Sequence, residues 1–217
     1  SLPCLVLQLE MEFFCAPEEA DKWFAYYEAK IEEFLAKIGL NKELVSKLEV
    51  PAEDRAHYSA RTVDYEFAFP FGKGELLGLA NRTDYDLKAH GLDYVSPNGE
   101  RFVPYIIETS MGVERLLFAM VSQALVDEQL EDGESREVLR LHPKMAPYKL
   151  AVAPLTNKVE AEAREAYRIL LQDCHCGVTY VTSGTIGKRY RKQDQIGTPW
   201  VATFDFDSLE DASMTLR

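Results

Sequence analysis

Cysteine is scarce in this chain, with four in 217 residues, which excludes the dense disulfide framework of small secreted domains. The group Cys174-His175-Cys176 lacks the spacing of about two to four residues that common zinc sites use, and no second pair follows it. Reduced thiols and a cytoplasmic setting are therefore expected. Long apolar runs are also missing. Ala151-Val152-Ala153-Pro154-Leu155 falls far short of the roughly 20 residues of a membrane helix, and no basic stretch precedes Ser1-Leu2-Pro3-Cys4-Leu5, so neither a membrane span nor a secretory signal is expected. Basic residues are in deficit: 24 Lys and Arg stand against 36 Asp and Glu, a net charge of −12. That balance argues against indiscriminate binding to phosphate backbones and leaves a local basic patch open.

What is there is the balance of a globular protein. Hydrophobic residues make up 47% and charged ones 28%, and the length suits one large domain or two modest ones. Charge is unevenly placed. Residues 143–217 hold 10 Lys/Arg and 9 Asp/Glu, leaving 14 and 27 for residues 1–142, so the acidic excess is entirely N-terminal. This shift, with the charged stretch Glu131–Glu137 around Gly133 and the prolines Pro143 and Pro147, predicts two domains, 1–142 and 143–217.

In the first of these, Leu5–Phe14 alternates as a strand, with Gln8, Glu10 and Glu12 on one side. Such a strand floors a pocket or shows a solvated acidic face. Pro17-Glu18-Glu19 starts a helix whose apolar stripe is Trp23, Tyr27, Ile31, Phe34, Leu35 and Ile38 and which Gly39 ends. A second helical stretch is expected over Lys42–Leu48, so segment 17–60 reads as helical, with His57 in a following loop as a structural or catalytic histidine. Thr62–Phe69 and Glu75–Ala80 flank a Pro-Phe-Gly turn and predict a β-hairpin. The polar run Asn81–Asp86 is either a solvated loop or a place where charges pair or meet a ligand. Val103–Ile107 reads as a strand leading through an acidic turn, Glu108–Gly112, into a helix facing inward with Val113, Leu116, Leu117, Met120, Val121 and Ala124. Arg115 sits in the first turn of that helix, where a cation opposes the helix dipole and needs Glu114 or an anionic ligand to compensate.

Residues beyond 143 alternate strand (Tyr148–Val152), helix (Val159–Leu171), strand (Val178–Val181) and strand (Trp200–Phe206), a small α/β unit. Its basic segment sets Lys188, Arg189, Arg191 and Lys192 around Tyr190. This combination suits unpaired RNA or, equally, a solvated helix face.

Three blocks read together are more specific: Gly74–Leu87 (GELLGLANRTDYDL), Glu108–Arg115 (ETSMGVER) and Gly187–Pro199 (GKRYRKQDQIGTP). In this order they resemble the homodimeric type of glycyl-tRNA synthetase, a class II family. The resemblance implies an α+β fold, in which an antiparallel-sheet catalytic part precedes an α/β anticodon-binding domain with a mixed sheet. It implies that Arg115 lies on the adenine and reaches the γ-phosphate of ATP, with Gly112, Val113, Glu114, Glu75 and Leu76 beside the nucleotide and Glu75 as a ligand of Mg²⁺. Glu108, Ser110, Gln8 and Glu10 would hold glycine, Arg82 would touch the substrate or orient the carboxylates, and Lys188, Arg189, Arg191 and Lys192 would meet tRNA(Gly). Glycine offers no side chain to grip, so selection must come from carboxylates around its ammonium and from a pocket too tight for a methyl group.

The family also uses an N-terminal dimer-forming motif and an arginine that binds the α-phosphate ahead of the strand matched by Gln8–Phe14. No arginine precedes Arg55 here. The sequence is therefore expected to be a synthetase part truncated at both ends, with negligible aminoacylation by itself, because one such charge-stabilising donor contributes roughly 3–4 kcal/mol. The alternative is a non-catalytic, synthetase-like nucleic-acid-binding or accessory protein. Retention of Glu75, Arg82, Glu108, Ser110 and Arg115 together favours the enzyme.

Overall fold

The computed structural model describes residues 7–129, 133 and 135–217. Residues 1–6, the start of the expected first strand, and residues 130–132 and 134 of the expected charged linker lie outside them. The chain divides into two compact units, residues 1–122 and 123–217.

The first unit contains β1 (Gln8–Cys15), α1 (Ala20–Lys37), β2 (Val45–Glu49), β3 (Arg61–Phe69), β4 (Gly72–Thr83), α2 (Tyr85–Ala89), the short strands β5 (Tyr94–Val95) and β6 (Arg101–Phe102), β7 (Tyr105–Gly112) and the body of α3 (Val113–Ala124). Five strands form an antiparallel sheet in the order β1-β7-β4-β3-β2. Strict alternation in β3 sends Val63, Tyr65, Phe67 and Phe69 to one face, where they pack with Leu77 and Leu79, with Phe24, Ile31 and Leu35 of α1 and with Leu116, Ala119 and Met120 of α3. The helices cover only that face. The polar residues of alternate positions are left on the other.

Helix α1 ends as its glycine predicts. Gly39 adopts a positive φ of 80°, its N–H donates to Ala36 and that of Leu40 donates to Leu35, closing the last turn. Phe24, absent from the expected stripe, is the most buried aromatic of this helix.

Several expectations are corrected. Lys42–Leu48 is not a helix: a single 3-10 turn, Lys42–Leu44, leads into β2, whose Val45 pairs with Phe67. Pairing to β3 overrides the weak local helical pattern, so segment 17–60 is helical only as far as Lys37. Asn81 and Arg82 belong to β4 and not to a loop, with Asn81 buried. Glu108–Gly112 is not a turn but the second half of β7, paired to both β1 and β4. In α3 the buried positions include Leu116, Ala119, Met120 and Ala124, while Leu117 is 55% exposed.

The second unit begins with an antiparallel pair, β8 (Leu125–Gln129) and β9 (Ser135–Leu139), and continues with β10 (Leu150–Pro154), α4 (Glu160–Asp173), β11 (Val178–Tyr180), α5 (Ile186–Ile196), β12 (Trp200–Phe204), α6 (Ser208–Asp211) and β13 (Thr215–Leu216). The sheet order is β11-β10-β12-β13, with the first three parallel and β13 antiparallel, a mixed sheet. The division at 122/123 precedes the 142/143 expected from charge because the β8–β9 pair is bound to α5: Arg136 meets Asp194 at 3.1 Å, and Gly197 abuts Leu139 and Leu141.

Candidate functional site

The open face of the first unit's sheet carries the acidic residues, and strand register decides which of them meet. Glu10 pairs with Ser110, Ser110 with Gly78 and Gly78 with Asp64, so these four form one row across β1, β7, β4 and β3. The next row is Glu12, Glu108, Ala80 and Thr62. Cross-strand partners share a face, and all of these point away from the core. Near the hairpin the register shifts between Tyr65 and Glu66, leaving Leu76 as an extra residue. The bulge reverses the alternation of β4 and turns Glu75, paired to Glu66, onto the same open face.

Over this face lies a cavity of about 340 Å³ lined by Gln8, Glu10, Asp64, Glu75, Arg82, Glu108 and their neighbours. Gln8 Nε2 donates to Ser110 Oγ at 2.8 Å, joining two of the residues expected to bind the amino acid. Arg82 is fully engaged. Its Nη1 donates to both oxygens of Glu108 at 2.9 and 3.0 Å, its Nε donates to Asp86 at 2.9 Å, and its guanidinium lies 4.2 Å from the ring centre of Tyr58. Arg82 thus orients and neutralises Glu108. Among the described residues no cation pairs with Glu10, Asp64 or Glu75. Asp64 shows the consequence: burial, then the nearby Glu75 and Glu66 carboxylates, push its pKa above the ordinary carboxylate value. The cavity favours a positively charged guest.

A second cavity, about 500 Å³, adjoins the first through shared walls at Gln8, Glu75 and Ser110. Leu76, Gly112, Glu114 and Arg115 line it, as do Phe69, Phe71 and Phe118. The three rings stack nearly parallel, with centroids 5.1 to 6.1 Å apart, and Phe71 is 75% exposed. A flat aromatic surface of this kind suits a planar base. Arg115 Nη1 donates to the Glu75 carbonyl at 2.6 Å, whereas both oxygens of Glu114 accept from the Leu7 N–H. Glu114 therefore does not neutralise Arg115. Its charge stays available at the cavity mouth for an anion.

Asp64, Tyr58, Phe71 and Phe118 are site residues that the sequence pattern did not single out. Phe118 had a signal, since it follows Arg115 by three on α3 and so shares its side of the helix. Asp64 had one too, as the polar member of an alternating strand. His57 packs edge-on against the rings of Tyr58 and Tyr85 and does not line either cavity.

In the second unit the basic segment forms α5, capped by Thr185, whose side chain accepts from the Lys188 N–H. Lys188, Arg191 and Lys192 lie exposed at spacings that put them on one side of the helix. Arg189 does not join them. It is 3% exposed and its Nη1 donates to the Pro154 carbonyl at the end of β10. Tyr190 is likewise tied inward, its hydroxyl bonded to Thr203 Oγ1 at 2.7 Å and its ring facing the Arg217 guanidinium.

Residues 6–124 match the family model of the tRNA synthetase class II core domain (G, H, P, S and T), and residues 149–217 match the anticodon binding domain. Curated relatives include glycine–tRNA ligases of Geobacillus thermodenitrificans, 46% identical, and Ruminiclostridium cellulolyticum, 45% identical, each over 97% of this chain and 46% of the relative. The chain spans about half the length of the curated relatives it matches. Among solved structures, the Giardia lamblia prolyl-tRNA synthetase in complex with prolyl-adenylate superposes with a TM-score of 0.75 at 16% identity, over 97% of this chain and 42% of that one. That likeness is one of fold.

Proposed function

The chain belongs to the class II tRNA synthetase core family, and on that premise we propose that it carries the amino-acid and nucleotide sites and the anticodon-binding unit of a glycine–tRNA ligase. Its substrates are then glycine, ATP and tRNA(Gly). The observation that carries this reading is the joining of an acid-lined cavity to an aromatic, arginine-bearing one through Gln8, Glu75 and Ser110. An aminoacyl-adenylate has the matching halves: an ammonium at one end, a purine at the other and a phosphate between. Glycine–tRNA ligases at 45 to 46% identity support the choice of amino acid.

In this reading the glycine ammonium faces Glu10 and Glu75, while Glu108, fixed by Arg82, and the Gln8–Ser110 pair set the walls. The purine lies along Phe71 and Phe118, with Arg115 over the phosphates. One glycine carboxylate oxygen attacks the α-phosphorus, the bond from that phosphorus to the bridging oxygen breaks, and pyrophosphate leaves with its electron pair. A terminal ribose hydroxyl of tRNA then attacks the glycyl carbonyl carbon, its proton passing to a phosphate oxygen of the adenylate, and the bond from that carbon to the phosphate oxygen breaks as AMP leaves with its electron pair. The protein's work is positioning, with charge stabilisation from Arg115. Among the described residues no three His, Cys, Asp or Glu side chains gather as a metal cage. Mg²⁺ would be held by Glu75, which lines both cavities and so faces the phosphates as well as the ammonium. Bound there, it supplies further neutralisation of phosphate charge. Lys188, Arg191 and Lys192 provide the contact to tRNA backbone. A cytoplasmic homodimer is the setting that the family resemblance suggests, and no described helix is long and apolar enough to cross a membrane.

The test is binding of glycyl-sulfamoyl-adenosine, a stable mimic of glycyl-adenylate, by calorimetry. It is expected to bind with one-to-one stoichiometry, and Arg115→Ala to weaken it about tenfold or more. Equal affinity for the prolyl and glycyl mimics, or no binding of the glycyl one, would contradict the proposal.

A further inference from the structure

Gly78 lies in the interior of β4, a position where glycine weakens a strand relative to residues with a side chain and so calls for another explanation. Its backbone does not require glycine, because its φ is not among the positive ones. Close packing does not require it either. A Cβ built there would meet only Asp64 Oδ1 and Glu75 Oε1, both at 3.7 Å, an ordinary contact distance. The fold would accept alanine. What alanine would fill is the space between two carboxylates that, among the described residues, have no cationic partner.

That space sits centrally in the row Glu10, Ser110, Gly78, Asp64, and Gly78 is the one member without a side chain. The row crosses the floor of the acid-lined cavity. A methyl at this point would hold the position from which a cationic nitrogen touches both Asp64 and Glu75.

We propose that Gly78 is a substrate-binding position of the amino-acid pocket: it leaves the space in which the substrate's ammonium end settles between Asp64 and Glu75. This rests on the glycyl-adenylate reading of the site and deepens it, adding Asp64 to the groups that meet the substrate. Gly78 thus trades strand stability for room, and the two properties separate in one variant.

The experiment compares wild type, Gly78→Ala and the isosteric Asp64→Asn by thermal melting and by calorimetric titration with ATP and with glycyl-sulfamoyl-adenosine. Gly78→Ala is expected to melt at or above the wild-type Tm, to bind ATP like wild type, and to lose about thirtyfold in affinity for the mimic, within the range that one methyl-sized change produces in a tight pocket. Asp64→Asn, whose shape is unchanged, is expected to lose about tenfold for the mimic and nothing for ATP. Mimic binding by Gly78→Ala within about threefold of wild type would overturn the inference, as would a fall in Tm, since the glycine would then serve the fold; an Asp64→Asn affinity equal to wild type would remove Asp64 from it. Failure of wild type to bind the mimic while ATP still binds would instead overturn the underlying reading, and the inference with it.

Discussion

Arg82 and Glu108 show how a charged pair becomes part of a cavity's frame. Each oxygen of Glu108 accepts from Arg82, and Asp86 takes the other side of the guanidinium. Both partners are largely shielded, so removing one leaves a charge without its bonds. Glu108→Ala should lower stability by about 2 kcal/mol, the scale of hydrogen bonds to a charged group, as read from urea unfolding; a loss near zero would mean that the pair is solvated. Asp64 behaves in the opposite sense. Burial first, then Glu75 and Glu66, raise its pKa in the folded state, so the folded protein holds this proton more tightly than the unfolded chain does. Stability from this group therefore falls as pH rises through its folded-state pKa. Asp64→Asn should melt higher than wild type at neutral pH, with the difference shrinking as pH drops below the ordinary carboxylate range. A difference independent of pH would refute that assignment.

The elements were legible where one physical signal dominated. The β3–β4 hairpin follows from strict alternation and a Pro-Phe-Gly turn, and α1 from its apolar stripe and Gly39. Where a polar residue was polar for the sake of a cavity, alternation lost its meaning: Glu108 and Ser110 looked like a turn, yet they are strand positions facing the pocket. The bulge at Leu76, which brings Glu75 onto the open face, has no mark in the sequence because register is set between strands. Lys42–Leu48 misled for a related reason, since pairing with β3 decides its state. Helix α5 divides its cations by the same logic of faces. Arg189 is interior and anchors a β10 carbonyl, whereas Lys188, Arg191 and Lys192 face outward. The triple variant Lys188→Ala, Arg191→Ala, Lys192→Ala should melt like wild type and reduce the slope of log affinity against log salt for a single-stranded RNA loop by about two, at roughly 0.7 for each phosphate no longer neutralised. Arg189→Ala should do the reverse, lowering Tm and leaving the slope. Equal slopes in wild type and the triple variant would show that this helix face does not meet the backbone.

At the scale of the whole chain, two units each carry their own core, and the chemistry of the first is written on the sheet face that no helix covers. The family resemblance named many of the residues that line the two cavities; the sequence pattern passed over Asp64 and Phe118, whose spacing on β3 and α3 carried a signal, and Gly78 and Phe71, which strand register and turn geometry place there. The central claim is that one continuous site spans both cavities, with the amino acid over the Glu10–Ser110–Gly78–Asp64 row and the nucleotide beside Arg115 and the stacked rings. Backbone amide NMR during titration with glycyl-sulfamoyl-adenosine, with ATP alone in parallel, tests it most directly. A continuous site predicts that ATP shifts amides of residues 112–118 and 71–76, and that the mimic shifts these together with Gly78, Ser110, Glu10 and Asp64. Shifts from the mimic that stop at the ATP set, or that fall elsewhere on the chain, would contradict it.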